Sequence, residues 1–187
     1  MEPIPTRLRL LDAAAQVFLA QGLAEASMDQ VRQQAGVSNG SLYHHFPTKA
    51  QLADALYAHT LRDFHATLLV PITPRATAQS GVKGLIRAYI DWVEHNPERA
   101  RLLDQLRLAG GSEREAANAE GFGALAAWIA RRVEAGDMRS MPFPVWLALV
   151  FSPAMSLTRH WVTQPVPAVP AKVRAALEHG AWMAVAA

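Results

Sequence analysis

The sequence contains no cysteine, which excludes disulfides, thiolate nucleophiles and cysteine-based zinc sites. No apolar run is long enough to span a bilayer. The most apolar stretch, Met141 to Leu157, is interrupted by Pro142, Pro144 and Pro153. Strand-like alternation, internal repeats and low-complexity tracts are absent. At the N-terminus, Arg7 and Arg9 precede an amphipathic segment and not the apolar core of a signal peptide, so a cytoplasmic protein is expected, with no membrane partner. An excess of one charge sign is also missing. The formal net charge is +2, and the first 70 residues hold five Lys or Arg against six acids.

Enzyme signatures are missing as well. There is no Gly-rich phosphate loop, nucleophile elbow or His-Glu-x-x-His pattern. The seven histidines (His44, His45, His59, His65, His95, His160 and His179) lack the i, i+4 pairing of helical metal ligands. Asp91 with Glu94, and Glu113 with Arg114 and Glu115, read as solvated helix faces. No enzymatic activity, metal or cofactor is expected.

What is present is a core. The chain has 187 residues and is 51% apolar, enough for one large domain or two small ones and too apolar for general disorder. Residues 1–5 read as a frayed arm. Leu8, Leu11, Ala15, Phe18 and Leu19 follow helical spacing up to Gly22.

The most informative stretch is Ser27 to Lys49. Ser27 and Gln30 have the spacing of a capping box, which starts a helix at Met28 with Met28, Val31 and Ala35 on one face. Gly36 stands where a helix end needs positive φ. Ser38 caps a second, very short helix from Asn39 to about His45. Thr48 and Gln51 repeat the capping spacing and open a third helix at Lys49. Two short helices joined by a three-residue turn containing Gly form a helix-turn-helix, whose second helix can enter the DNA major groove. From Gln30 to Ala53 there are two cations, Arg32 and Lys49, two histidines and no acid. That surplus is thin, so affinity must lean on geometry and on a second subunit.

The run Ala35-Gly36-Val37-Ser38, then Gly40, Leu42-Tyr43, His45-Phe46, Lys49 and Leu52 resembles the DNA-binding signature of TetR-family transcriptional regulators over about residues 6–52. Departures are mild: Ser27 stands where Thr is usual, Val31 where Ile is common and Arg32 where a small residue is frequent. Asn39 and Ser41 can donate and accept at base edges, Gly40 lets the backbone approach the duplex, and Tyr43 and His44 lie along the same helix. The resemblance implies phosphate contacts from Tyr43, His45 and Lys49, and Ser27 and Ser38 join the expected DNA-binding set. Leu42 and Phe46 are expected to be core. Arg32 reads equally as a phosphate contact or a solvated side chain.

Beyond this segment the pattern is helical: Lys49 to about Leu69, Gly81–Asn96, Pro97 to about Ala109, Glu113–Ala135, Phe143–Val162, and from about Ala168 or Ala171 to Val185. Gly110-Gly111 is a break, and Gly121 and Gly123 permit close packing or a bend. Phe143–Val162 is apolar on nearly every side and reads as buried all round. Pro165, Pro167 and Pro170 read as a stiff connection. The expectation is an all-α protein of about nine helices, with a helix-turn-helix domain at 1–48 and an effector-binding and dimerisation domain at 49–187.

The resemblance further implies a homodimer paired through the last two helices on palindromic double-stranded operator DNA. It also implies a small-molecule effector, apolar or aromatic, that releases the DNA from a repressor. Tyr89, Trp92, Leu106, Phe122, Trp128, Phe151, Met155 and His160 are the candidate lining residues, with Asp104, Gln105 and Arg159 as further polar anchors. The alternative is a helical DNA-binding or adaptor protein without an effector.

Overall fold

The computed structural model describes residues 4–107, 111–162 and 168–187. Among the described residues the chain is all-α, as expected, with nine helices and no strand. These are α1 (Thr6–Gln21), α2 (Met28–Ala35), α3 (Asn39–His45), α4 (Lys49–Leu68), α5 (Ala78–His95), α6 (Pro97–Leu106), α7 (Ser112–Glu134), α8 (Phe143–Val162) and α9 (Ala171–Val185).

Local chemistry accounts for most boundaries. Gly22 and Gly36 end α1 and α2 at φ 81° and 63°, a region that other residues reach only with strain. The Ser27 hydroxyl accepts from the Gln30 N–H while Gln30 Oε1 accepts from the Ser27 N–H, so both halves of the capping box form. At α4 only the forward half does. Thr48 Oγ1 accepts from the Gln51 N–H, and its hydroxyl then donates to the Gln51 side chain. Helix α5 starts earlier than the apolar pattern suggests, because Thr77 accepts from the Ser80 N–H and caps it at Ala78. Gly110, Pro165 and Pro167, and the first three residues of the expected arm, lie outside the described residues.

The chain forms two compact units. One comprises Met1–Arg62 and Glu98–Asn118, the other Asp63–Pro97 and Ala119–Ala187. The expected boundary at 48/49 falls at the start of α4, whereas packing keeps α4 with the first unit as far as Arg62. The core of that unit joins Leu10, Leu11 and Phe18 of α1, Val31 of α2, Leu42 of α3, Phe46, and Leu52 and Leu56 of α4 with Leu102 and Leu106 of α6. A buried Leu contributes about 1.5–3 kcal/mol against a domain's net 5–15 kcal/mol. Leu102 and Leu106 are therefore integral to the unit, although they arrive some fifty residues later in sequence.

In the second unit, Val82, Leu85, Ile86 and Ile90 of α5 meet Leu125 and Trp128 of α7, Trp146 and Val150 of α8, and Ala181 and Val185 of α9. Helix α8 is not buried all round. Trp146, Val150, Ala154 and Thr158 face inward, but Val145 and Leu149 are 46% and 43% exposed. Its apolar surplus is thus a second face and not a sign of complete burial. Asp91 and Glu94 are not merely a solvated face: the Glu94 side chain is 17% exposed, Asp91 keeps 46% of its side chain in solvent, and both are paired. Arg174 binds both, and Glu94 also accepts the Val169 N–H at 2.6 Å, fixing the approach to α9. Arg87 and Glu178 form a second α5–α9 pair at 2.6 Å. Hydrogen bonding to Glu178, reinforced by its charge, raises the Arg87 pKa. For Arg174, burial alone would lower the pKa, but the hydrogen bonds and charges of Asp91 and Glu94 outweigh it and the net shift is upward.

Candidate nucleic-acid interface

Helix α3 has seven residues, about 10 Å of axis, a length that the roughly 12 Å major groove accommodates. Leu42 and Phe46, one turn apart, are buried in the first unit's core and hold the helix by one side. The opposite side presents Asn39, Gly40, Tyr43 and His44 to solvent, with Tyr43 48% exposed. Ser41 and His45 are half-buried, and the His44 and His45 rings meet edge-on with centroids 5.3 Å apart. Ser38 Oγ accepts from the Ser41 N–H at 3.2 Å, so Ser38, like Ser27, uses its oxygen as a cap and retains a hydroxyl proton to donate.

The cations around this face are committed to the protein's own oxygens. Lys49 Nζ donates to the carbonyls of Leu23, Ala24 and Ala26 at 2.8, 2.9 and 2.9 Å. An ammonium has three protons, so in this arrangement Lys49 ties down the α1–α2 connection and has none to offer a phosphate. Its expected place among the phosphate contacts is not what the geometry favours. Arg9 Nη2 donates to Ala35 O at 2.6 Å and Gly36 O at 3.2 Å, closing the C-terminal end of α2. Arg32 pairs with Asp29 at 2.8 Å and reaches Val37 O. The roles of Arg9 and Lys49 carry no local sequence signal, since the partners lie more than twenty residues away.

The result is a short helix anchored by its apolar side, a polar and nearly uncharged outer side, and a preceding helix set by a complete capping box. Residues 10–56 match the model of the bacterial regulatory proteins of the tetR family. The uncharacterized HTH-type transcriptional regulator TtgW of Pseudomonas putida is 32% identical over 108 residues, 58% of this chain and 77% of that protein. The chain belongs to the TetR family of transcriptional regulators. The HTH-type transcriptional regulator SrpR of P. putida is likewise 32% identical over 108 residues, but that match covers 48% of its length, so this chain spans about half of it. A structure from Shewanella sp. PV-4 assigned to the tetR family matches with a TM-score of 0.84 at 25% identity, covering 98% of this chain and all of that one. The TetR-family assignment carries a DNA-binding helix-turn-helix with it. No helix among the described residues is long and apolar enough to cross a membrane.

The residues expected to line a TetR-family effector site are not all brought together. Leu106 is fully buried in the first unit, among the residues supporting the helix-turn-helix. Met155 is 41% exposed on α8, and the side chain of His160 lies outside the described residues. Trp128 is core: its ring occupies the space a Cβ on Gly81 would take, 2.4 Å away, with the Arg132 guanidinium 5.8 Å from its centroid. The remaining four do converge. Trp92 meets Phe64 at 4.8 Å, Phe64 meets Tyr89 at 6.1 Å, and Tyr89 meets Phe151 at 6.3 Å. Phe122 joins through His65 at 5.4 Å. Phe64, His65 and Thr158 stand with them although they were not among the expected lining residues. The Tyr89 and Thr158 hydroxyls lie 2.8 Å apart, and the buried Trp146 Nε1 has no hydrogen-bond partner among the described residues.

Proposed function

We propose that this regulator represses transcription as a homodimer on a two-fold symmetric operator and is released by a neutral, apolar or aromatic effector. The observation that carries the reading is the outward face of α3. Asn39 and Ser41 offer donors and acceptors for base edges, Tyr43, His44 and His45 reach for the backbone, and the neighbouring cations are already bound to protein carbonyls. A module with so little spare charge gains little from phosphate neutralisation. Two modules on half-sites about one helical turn or more apart supply the missing affinity.

The pairing surface in this reading is the outer face of α8 with α9. Val145 and Leu149 are exposed at adjacent turns of α8, and Ala175, Ala176, Gly180 and Met183 are exposed on α9, the last at 53%. Small residues let helices approach closely, and a self-complementary apolar face suits a two-fold dimer. The effector lies against the Trp92–Phe64–Tyr89–Phe151 rings, with the Tyr89 and Thr158 hydroxyls and the Trp146 N–H as neutral polar partners. A tenfold loss of DNA affinity on binding requires about 1.4 kcal/mol of coupling. The reading without an effector draws on the burial of Trp92, Trp128 and Phe151 as ordinary core.

The test is selection of bound sequences from random duplexes by the full chain, followed by a screen of aromatic and aliphatic compounds for release of the selected DNA. An enriched palindrome is the expected result. Enrichment of an asymmetric site, or of none, overturns the operator reading; a palindrome that no compound releases leaves the dimer and removes the effector.

A further inference from the structure

Helix α7 begins without a cap of its own. The residue before Ser112 is Gly111, which has no side chain to receive the free N–H groups of the first turn. Those protons go to another helix. Asp54 of α4, 7% exposed, accepts the Glu113 N–H on Oδ2 at 3.0 Å and the Arg114 N–H on Oδ1 at 3.2 Å. A carboxylate at a helix N-terminus satisfies two orphan donors and the positive end of the helix dipole together. The glycine is a requirement of this arrangement: a Cβ on Gly111 would lie 2.1 Å from Asp54 Cγ.

The neighbouring side chains lock the same corner. Arg114 lays its guanidinium over the Tyr57 ring, 3.7 Å from the centroid, and donates to the Leu106 and Arg107 carbonyls at the end of α6. Glu113 receives both bonds of Arg7 of α1, at 2.9 and 3.1 Å. The Arg7 guanidinium in turn stands 5.4 Å from the ring of Phe46, the residue that closes α3. A continuous set of contacts therefore runs from the end of the recognition helix through α1 to the start of α7 and back to α4, all within the first unit.

We propose that Asp54 is a positioning residue for DNA binding, whose carboxylate, by capping α7 from α4, holds the α6–α7 corner in the recognition unit and so sets operator affinity. This rests on the DNA-binding reading above. Helices α4 and α7 each run from the first unit into the second, and Asp54 ties their first-unit parts to each other. Opening the cap frees the Arg7–Glu113 support beside Phe46 and loosens the seating of α3, with no loss of any group that touches DNA.

The experiment compares the full wild-type chain with D54A, D54N and G111A on the duplex that the wild type selects. Affinity is measured where circular dichroism shows each variant folded, and amide hydrogen exchange is followed at Glu113 and Arg114. D54A and G111A are expected to bind about tenfold more weakly, with fast exchange at those two amides and an unchanged assembly state in sedimentation. D54N, which keeps one acceptor, is expected to fall in between and carries the test if D54A does not fold. Wild-type affinity in a folded variant whose amides exchange fast overturns the positioning role, as does slow exchange in D54A. If the wild type itself selects no duplex, the DNA reading fails first, and the exchange data still decide whether the cap exists.

Discussion

Lys49 shows how a single side chain can satisfy a family pattern and still serve a different end. Its ammonium closes three carbonyls between α1 and α2, and hydrogen bonds from a charged group contribute more than neutral ones. K49Q should therefore lower the melting temperature of the chain, at a cost of roughly 1.5–3 kcal/mol. Measured at a temperature where the variant is folded, the slope of log K against log salt on the selected duplex should stay at the wild-type value. A lysine that neutralises a phosphate would lower that slope by roughly 1, so a drop of that size would restore the phosphate role.

At the scale of helices, glycines and ion pairs divide by what lies opposite them. A Cβ on Gly81 would meet the Trp128 ring at 2.4 Å, and one on Gly121 would meet the His65 ring at 2.1 Å, whereas Gly123, two residues further along α7, has nothing within 4 Å. G81A and G121A should lower the melting temperature, and G123A should raise it, by up to about 1 kcal/mol from helix propensity. Thermal unfolding of the three variants checks the order; a destabilising G123A would contradict it. The two α5–α9 ion pairs should also separate. The Arg174 side chain is 21% exposed and bridges two carboxylates, while Arg87 is 57% exposed. R174A should cost about 1.5–3 kcal/mol and R87A less than about 1. Both guanidinium pKa values are raised in the fold. Their contribution is thus complete below the ordinary arginine range and lost only above it, so urea titrations at about pH 6 and pH 9 should show no change from the arginine side.

For the molecule as a whole, the decisive surface is the one that α8 and α9 leave in water. Val145 and Leu149 are too exposed for core residues, and in a two-fold pairing each would appear twice, so one substitution acts on both copies. L149E should convert a sedimenting dimer to a monomer and reduce binding to a palindromic duplex far more than binding to a single half-site. Retention of the dimer in L149E would move the pairing surface elsewhere.

The sequence by itself determined the helices and the recognition segment, because both are written in short-range chemistry. The capping box at Ser27 and Gln30, the left-handed Gly36, the Ser38 cap and the inward pair Leu42 and Phe46 each involve residues three or four positions apart, and all appear where the spacing put them. The tertiary structure alone decided which unit each helix serves. Leu106 became support for the helix-turn-helix, Asp54 became the cap of a helix some sixty residues away, Asp91 and Glu94 were both paired with Arg174, and α8 kept one apolar face in solvent. The physical reason is distance along the chain. A cap or a turn is settled by the backbone groups beside it, whereas the burial of a carboxylate or a leucine depends on a partner that local spacing does not reveal.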